Sequence, residues 1–361
     1  MKKNKPEKVI CAMSGGVDSS MAAVLLKRQG FEVTGVFMRL VETPRFLEGE
    51  RTAKKIAKSL NIPLLVINLK TEFKKKIINE FIKEYKSGRT PNPCVICNRE
   101  MKFKFLLKER IAKKADFIAT GHYARLKKGK LLKGKDKEKD QSYFLWQLNQ
   151  RQLKHTLFPL GNYTKKQVKN LARKYRLPIF KASESQEICF IRASTGNFLK
   201  KHLKTKKGRI IDTRGKTMGK HLGLPFYTIG QRKGIKLPGG PYYVLKKNLK
   251  ENILVVTKNE KDLLSKELTA KMVNWIRAPS GYSVLDRAQE ICALVSGNQP
   301  KFPLKIEAKI RYRHKAAPAT ISKIADNKYK IIFKKSQRAV TPGQSVVFYR
   351  GEELLGGGII D

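Results

Sequence analysis

The sequence predicts an α/β domain built on a parallel sheet, followed by a small β-rich connector and a carboxy-terminal β-barrel. Three observations carry this. Strand-like and helix-like segments alternate through the first half of the chain, the rhythm of a parallel sheet covered by helices. Beyond about residue 205, short β-rich stretches between glycine turns replace that rhythm. From about residue 270 the strands lengthen, with the spacing of a small antiparallel barrel. Domains are accordingly expected at 1–204, 205–268 and 269–361.

Taken in order, residues 9–13 form an apolar strand, 19–29 a helix closed by Gly30, and 31–38 a second strand. A helix over 51–60, a strand over 64–69 and a helix over 72–85 follow. Residues 99–114 read as a further helix leading into a strand at 116–119. Residues 127–140 are dominated by lysine, glycine and acids, and are expected to form a mobile loop or hairpin tip without core-forming side chains. Thr164-Lys165-Lys166-Gln167 has the form of a capping box opening a helix that ends near Tyr175. Strands at 209–212, 242–245 and 253–257 belong to the connector, and those at 305–312, 328–333 and 345–349 to the barrel.

Composition narrows the function classes. The 361 residues include 78 Lys+Arg against 29 Asp+Glu, a formal net charge of +49. Apolar residues make up 41%, which argues against wholesale disorder. No apolar stretch approaches the roughly 20 residues of a membrane helix. The basic residues 1–8 run straight into a strand with no h-region or cleavage site, so a soluble cytoplasmic protein is expected. Residues 1–50 carry a net of only +2, whereas 151–250 carry 25 basic and 3 acidic side chains. Such clustering points to a polyanion, with nucleic acid favoured over a membrane surface and a general lysine bias contributing.

Ser14-Gly15-Gly16-Val17-Asp18-Ser19-Ser20 lies between the first strand and the first helix. Two glycines let backbone close around an anion, and the helix start offers free N–H groups and the positive end of its dipole. Ser14, Ser19 and Ser20 add hydroxyls, and Asp18 can cap the helix or help hold magnesium beside phosphates. The Walker pattern is absent. The run resembles the signature of the ATP pyrophosphatases (PP-loop, adenine nucleotide α-hydrolase-like proteins), which release pyrophosphate from ATP and adenylate an oxygen.

Five cysteines without a secretory signal argue against a disulfide framework. Cys11 and Cys292 sit in apolar segments and read as buried core thiols. Cys94 and Cys97 follow two prolines, and a helix is expected to begin just after Cys97. A thiol there, beside Arg99, is expected to have a lowered pKa. Cys189 taken alone reads as a core thiol. No second C-x-x-C accompanies the first, which disfavours zinc.

The ATP loop, residues 88–103, Thr120-Gly121-His122-Tyr123-Ala124, residues 139–145, residues 185–191, Thr228-Ile229-Gly230-Gln231-Arg232-Lys233-Gly234 and Arg311-Tyr312-Arg313 occur together in order. In this the chain resembles the bacterial tRNA-specific 2-thiouridylases along nearly its whole length. The resemblance implies ATP-dependent 2-thiolation of the wobble uridine at position 34 of Lys, Glu and Gln tRNAs. It implies ATP with Mg2+ as cofactor, and tRNA with a sulfur-relay protein or cysteine desulfurase as partners. Ala12, Met13, Ser14, Gly15, Gly16, Val17, Asp18, Ser19, Met38 and Gly121 match the ATP contacts. Cys97 matches the resolving nucleophile and Cys189 the persulfide carrier, which end the reaction as a disulfide. Asn92, Pro93 and Cys94 match the stretch that meets the target base. His122, Lys139, Asp140, Gln141, Arg311, Tyr312 and Gln344 match tRNA contacts.

One position departs from the family pattern: Cys94 stands where an aspartate is often found. Cys94, Cys97 and Cys189 could instead ligate a [4Fe-4S] cluster, as in some related thiolation enzymes. Two further alternatives are another pyrophosphatase of this type, such as a tRNA cytidine thiolase, and a noncatalytic RNA-binding protein. The remaining histidines, His155, His202, His221 and His314, have no metal spacing. Tyr312 between two arginines suits stacking on an unpaired base, or ordinary barrel packing.

Overall fold

The computed structural model describes residues 5–177, 188–191, 193–276 and 302–361. Cys292 lies outside them. Two compact units emerge: Met1–Ile78, Pro93–Phe190 and Glu352–Leu354 make one, and Asn79–Asn92, Ile191–Gly351 and Leu355–Asp361 the other.

The first unit is built on a parallel sheet. Strand β1 (Lys8–Ala12) pairs with β2 (Glu32–Arg39) on one side and β4 (Phe117–Ala119) on the other. Strand β3 (Leu64–Asn68) flanks β2, and the short Thr156–Leu157 flanks β4. Chain order therefore reverses at β1, and the carboxyl ends of β1 and β4 open side by side, where open α/β sheets bind ligands. Helix α1 (Val17–Arg28) seals the sheet with Met21, Ala22, Leu25 and Leu26, packed against Val9, Cys11 and Val33. Cys11 is the buried core thiol expected of it.

Helix α2 (Pro44–Ser59) starts well before the expected residue 51. Thr43 caps it through a bond from the Phe46 N–H, and Pro44 occupies the first helical position, where its missing N–H costs nothing. The segment 127–140 contains the expected hairpin tip but differs in its core. Ala124–Lys127 and Lys130–Lys133 pair as a hairpin, with Lys128 and Gly129 both at positive φ in its two-residue turn. Leu131 is fully buried, so the segment does hold a core-forming side chain. The Thr164–Gln167 capping box is present and opens a helix over Lys165–Lys174.

The second unit contains a sheet in the order Tyr243–Asn248, Ile253–Thr257, Gly208–Ile211, Thr217–His221. Its core is Ile210, Tyr227, Val244, Leu254 and Val256. Six strands between Leu264 and Ile360 form a barrel closed by pairing of Leu264–Trp275 with Glu353–Ile360. Ile321, Ile331, Phe333 and Phe348 fill it. Among the described residues no helix is long and apolar enough to cross a membrane.

Leu131→Ala is expected to cost about 2–5 kcal/mol of unfolding free energy, the range for emptying a buried leucine site. Urea titration followed by circular dichroism measures it; a change below about 0.5 kcal/mol would place Leu131 outside the core.

Candidate active site

The loop after β1 is shaped by its own backbone and hydroxyls. The Met13 N–H extends the β1–β2 ladder to Val36 O at 2.8 Å, and the chain then turns away at Ser14. Ser19 Oγ accepts from the Ser14 N–H at 3.1 Å and donates to Gly16 O at 3.1 Å. Ser14 Oγ lies 3.1 Å from Ser19 Oγ. Ser20, expected to offer a hydroxyl, is instead buried and donates to Gly16 O at 2.8 Å. Gly15 has φ +78, and a Cβ there would stand 2.1 Å from Gly49 O on α2. Only glycine fits, so α2 presses the loop into its curve. Gly121, just past β4, lies against the backbone of Asp18 and Ser19. Met38 is half-buried near the end of β2.

Asp18 does not cap α1: the cap position is Gly16, with no side-chain bond. Its carboxylate is held instead by Lys165 Nζ, 2.7 Å from each oxygen, and by the Tyr123 hydroxyl, which donates at 2.7 Å. Lys165 is the first residue of its helix, and its N–H donates to Asp136 Oδ2 at 2.8 Å. Lys165 carried no sequence signal beyond the capping box. As placed, the Asp18 carboxylate is ion-paired with Lys165 and accepts from Tyr123.

The cysteine helix begins at Pro93, not after Cys97. It runs through Pro93–Cys97, a π turn over Asn98–Phe103 and Lys104–Ala112. Cys94 and Cys189 reach solvent from positions ringed by protein, and Cys97 is buried. Phe190 packs edge-on against Phe73 and anchors the end of the Cys189 segment. The three thiols share one electrostatic neighbourhood: charge on Cys189 and Cys94 opposes ionisation of Cys97, and charge on Cys94 opposes that of Cys189.

The expected lowering of the Cys97 pKa is corrected here. Burial pushes Cys97 up to about 12 and Cys189 to about 11, and raises Cys94 as well. Loss of water around the thiolate outweighs the help of nearby charge. That help comes from Lys102, which favours ionisation of all three thiols, and from Arg45 at Cys189. A turn closed by i→i+5 bonds brings residue i+5 round toward residue i, so the π turn carries Lys102 toward Cys97. Neither Lys102 nor Gly49 was singled out from sequence. Among the described residues no group of three or more His, Cys, Asp or Glu side chains is placed to hold a metal ion.

His122 is buried with its ring near Phe103 and Phe158, and Nδ1 lies 2.8 Å from Thr120 Oγ1. Burial, then Lys102, holds its pKa well below the usual histidine value. Asp140 is buried too, accepting from the Gly134 and Ser142 N–H groups and the Ser142 hydroxyl at 3.0–3.1 Å. Gln141 Oε1 accepts from the Tyr123 N–H at 3.0 Å, and Lys139 is half-buried. Pro93 is buried at the head of the cysteine helix. Asn92, Arg311, Tyr312 and Gln344 fall in the second unit. There Arg311 Nη2 donates to Ala339 O at 2.9 Å and Thr341 Oγ1 at 2.8 Å. Tyr312 has Lys309 Nζ 5.5 Å from its ring centre, and Gln344 Nε2 donates to Thr90 O at 2.7 Å.

Two outcomes follow. Gly15→Ala should weaken adenine-nucleotide binding at least about tenfold, because loop and α2 cannot both keep their places; calorimetric titration with an unchanged affinity would reject this. An unfolded histidine takes a proton near pH 6.5, whereas folded His122 resists one. Below that pH the unfolded chain binds more protons, so stability that is complete above pH 6.5 is lost as pH falls. His122→Phe should flatten this acid limb in urea midpoints taken from about pH 8 to about pH 5.

Comparison with known proteins bears on all three regions of the chain. The profile of the tRNA methyl transferase HUP domain matches residues 7–193, that of the tRNA methyl transferase PRC-barrel domain 196–258, and that of the aminomethyltransferase beta-barrel domain 265–360. The tRNA-specific 2-thiouridylase MnmA of Halothermothrix orenii is 44% identical, over 98% of this chain and 99% of its own. That of Clostridioides difficile is 41% identical, over 98% of each. That of Buchnera aphidicola is 44% identical, over 100% of this chain and 98% of its own. Identity at this level, end to end through loop, cysteine helix and barrel, leaves one conclusion: the chain belongs to the tRNA-specific 2-thiouridylase family.

Proposed function

We propose that this protein is a cytoplasmic enzyme that 2-thiolates the wobble uridine, position 34, of Lys, Glu and Gln tRNAs at the expense of ATP. Residues 1–204 carry the chemistry, 205–268 connect, and the 269–361 barrel meets tRNA. The observation that carries the reading is the shared neighbourhood of Cys97 and Cys189, far apart in sequence, in the unit that also holds the Ser14–Ser19 loop. The matched profile is described as a methyl transferase domain. Methyl transfer, however, has no use for a pyrophosphatase-type loop with two coupled thiols.

In this reading the loop amides and the start of α1 receive the phosphates of ATP and stabilise charge on departing pyrophosphate. Magnesium travelling with the nucleotide would neutralise part of that charge. The uridine O2 attacks the α-phosphorus, and pyrophosphate leaves. A sulfur-relay protein or cysteine desulfurase has meanwhile loaded Cys189 as a persulfide. Its terminal sulfur attacks C2, and the activated oxygen departs with AMP. Cys97 gives up its proton and attacks Sγ of Cys189, and a Cys97–Cys189 disulfide forms. The displaced electron pair stays on the sulfur now bound to C2. A thiol reductant restores both cysteines. Asn92, Pro93 and Cys94 receive the flipped base. Lys102 offsets the cost of forming thiolate at Cys97.

The deciding assay incubates the protein with ATP-Mg, a persulfide donor and unmodified tRNA, and analyses nucleosides by mass spectrometry. Cys97→Ser and Cys189→Ser should each lower 2-thiouridine at least about a hundredfold, while Cys94→Asp retains activity. No product from wild type, in air or under anaerobic conditions, overturns the reading. Iron with acid-labile sulfide in anaerobically purified active protein redirects the sulfur step to a cluster.

A further inference from the structure

Gln344, which the family resemblance matches to a tRNA contact, also donates an amide N–H inside the protein. It donates to Thr90 O at 2.7 Å, and the Thr90 N–H donates to Pro342 O at 2.9 Å. Thr90 Oγ1 meets Thr228 Oγ1 at 3.3 Å. Gly343, at φ +92, lies so close that a Cβ there would stand 2.8 Å from Thr90 N. Arg89 adds bonds from Nε to Glu84 at 2.9 Å, from Nη2 to Ile360 O at 2.9 Å and from Nη1 to Asp361 at 3.3 Å. Every one of these partners belongs to the second unit, as do residues 79–92 themselves.

Two residues further on stands Asn92, followed by Pro93 and the cysteine helix. Pro91 and Pro93 each fix one backbone angle and restrict the residue before them. Few torsions remain free between Thr90 and the helix, so a shift at Thr90 is passed on rather than absorbed. We propose that Gln344, with Gly343 and Thr228, forms a clamp on Thr90 that positions Asn92, making Gln344 a positioning residue for the base-accepting stretch. The catalytic consequence rests on the thiolation reading; the clamp itself does not.

The test compares wild type, Gln344→Ala, Gly343→Ala and the double variant. Kcat for 2-thiouridine formation is read at saturating ATP and tRNA, tRNA affinity by filter binding, and amide exchange over residues 89–97 by mass spectrometry. A displaced near-attack geometry should lower kcat about tenfold or more. Each single change should do so with tRNA affinity held within about twofold and faster exchange across 89–97. The double variant should be no worse than the poorer single, because both break one clamp. Gln344→Ala guards against a Gly343→Ala protein that simply fails to fold. Weakened tRNA affinity with kcat intact, multiplicative losses, or unchanged exchange in both singles overturns the proposal. Wild type without 2-thiouridine defeats the thiolation reading alone, and exchange still judges the clamp.

Discussion

The ion pair between Asp18 and Lys165 is the interaction on which the first unit's loop depends. A carboxylate in the first turn of α1 is favoured by that helix's dipole, but it stands beside a loop shaped for anions. Lys165 cancels its charge. The lysine is itself at the first position of a helix, where the dipole disfavours a cation, so each partner relieves the other's placement. Tyr123 donates to the same carboxylate, and Asp136 holds the Lys165 backbone. Loop, β4 exit, hairpin segment and the Lys165–Lys174 helix therefore converge on one carboxylate. Removing either charge strands the other in a partly dry place, at a higher cost than removing both.

Burial sets the character of the thiols in the same way. At neutral pH, groups titrating near 11 or 12 are protonated, and a protonated thiol resists oxidation. In the proposed reaction sulfur delivery changes the chemistry, because the terminal sulfur of a persulfide is a stronger acid than a thiol. Reactivity then arises from the cargo rather than from the resting residue, with Lys102 lowering the remaining cost.

Much of this was legible in the sequence. The strand–helix alternation, the β-rich second half and the Thr164 capping box are local patterns, and the fold follows them. The start of the cysteine helix was placed after Cys97 rather than at Pro93 because prolines were read as stiffeners, although a proline at the first helical turn opens a helix. Leu131 and Leu132 stand between lysines and glycines, and two adjacent apolar residues leave no period-two alternation to detect. The Asp18–Lys165 pair is a tertiary contact between distant residues, which no local signal encodes. The raised thiol pKa values were hidden for the same reason: helix position is written in sequence, whereas desolvation depends on everything packed around it.

The chain leaves the first unit at Ile78 and returns to it at Pro93. In that interval it builds a helix over Asn79–Lys86 whose buried Phe81 packs against Phe198 at 6.0 Å. Neither unit is therefore a contiguous stretch of gene. A recombination event that cut the chain once, anywhere between catalytic and β-rich portions, would separate Phe81 and Thr90 from the partners that bury and bind them. The barrel cannot be traded between lineages as a loose cassette. A barrel moved alone would leave behind the short excursion that Gln344 and Pro342 bind at Thr90.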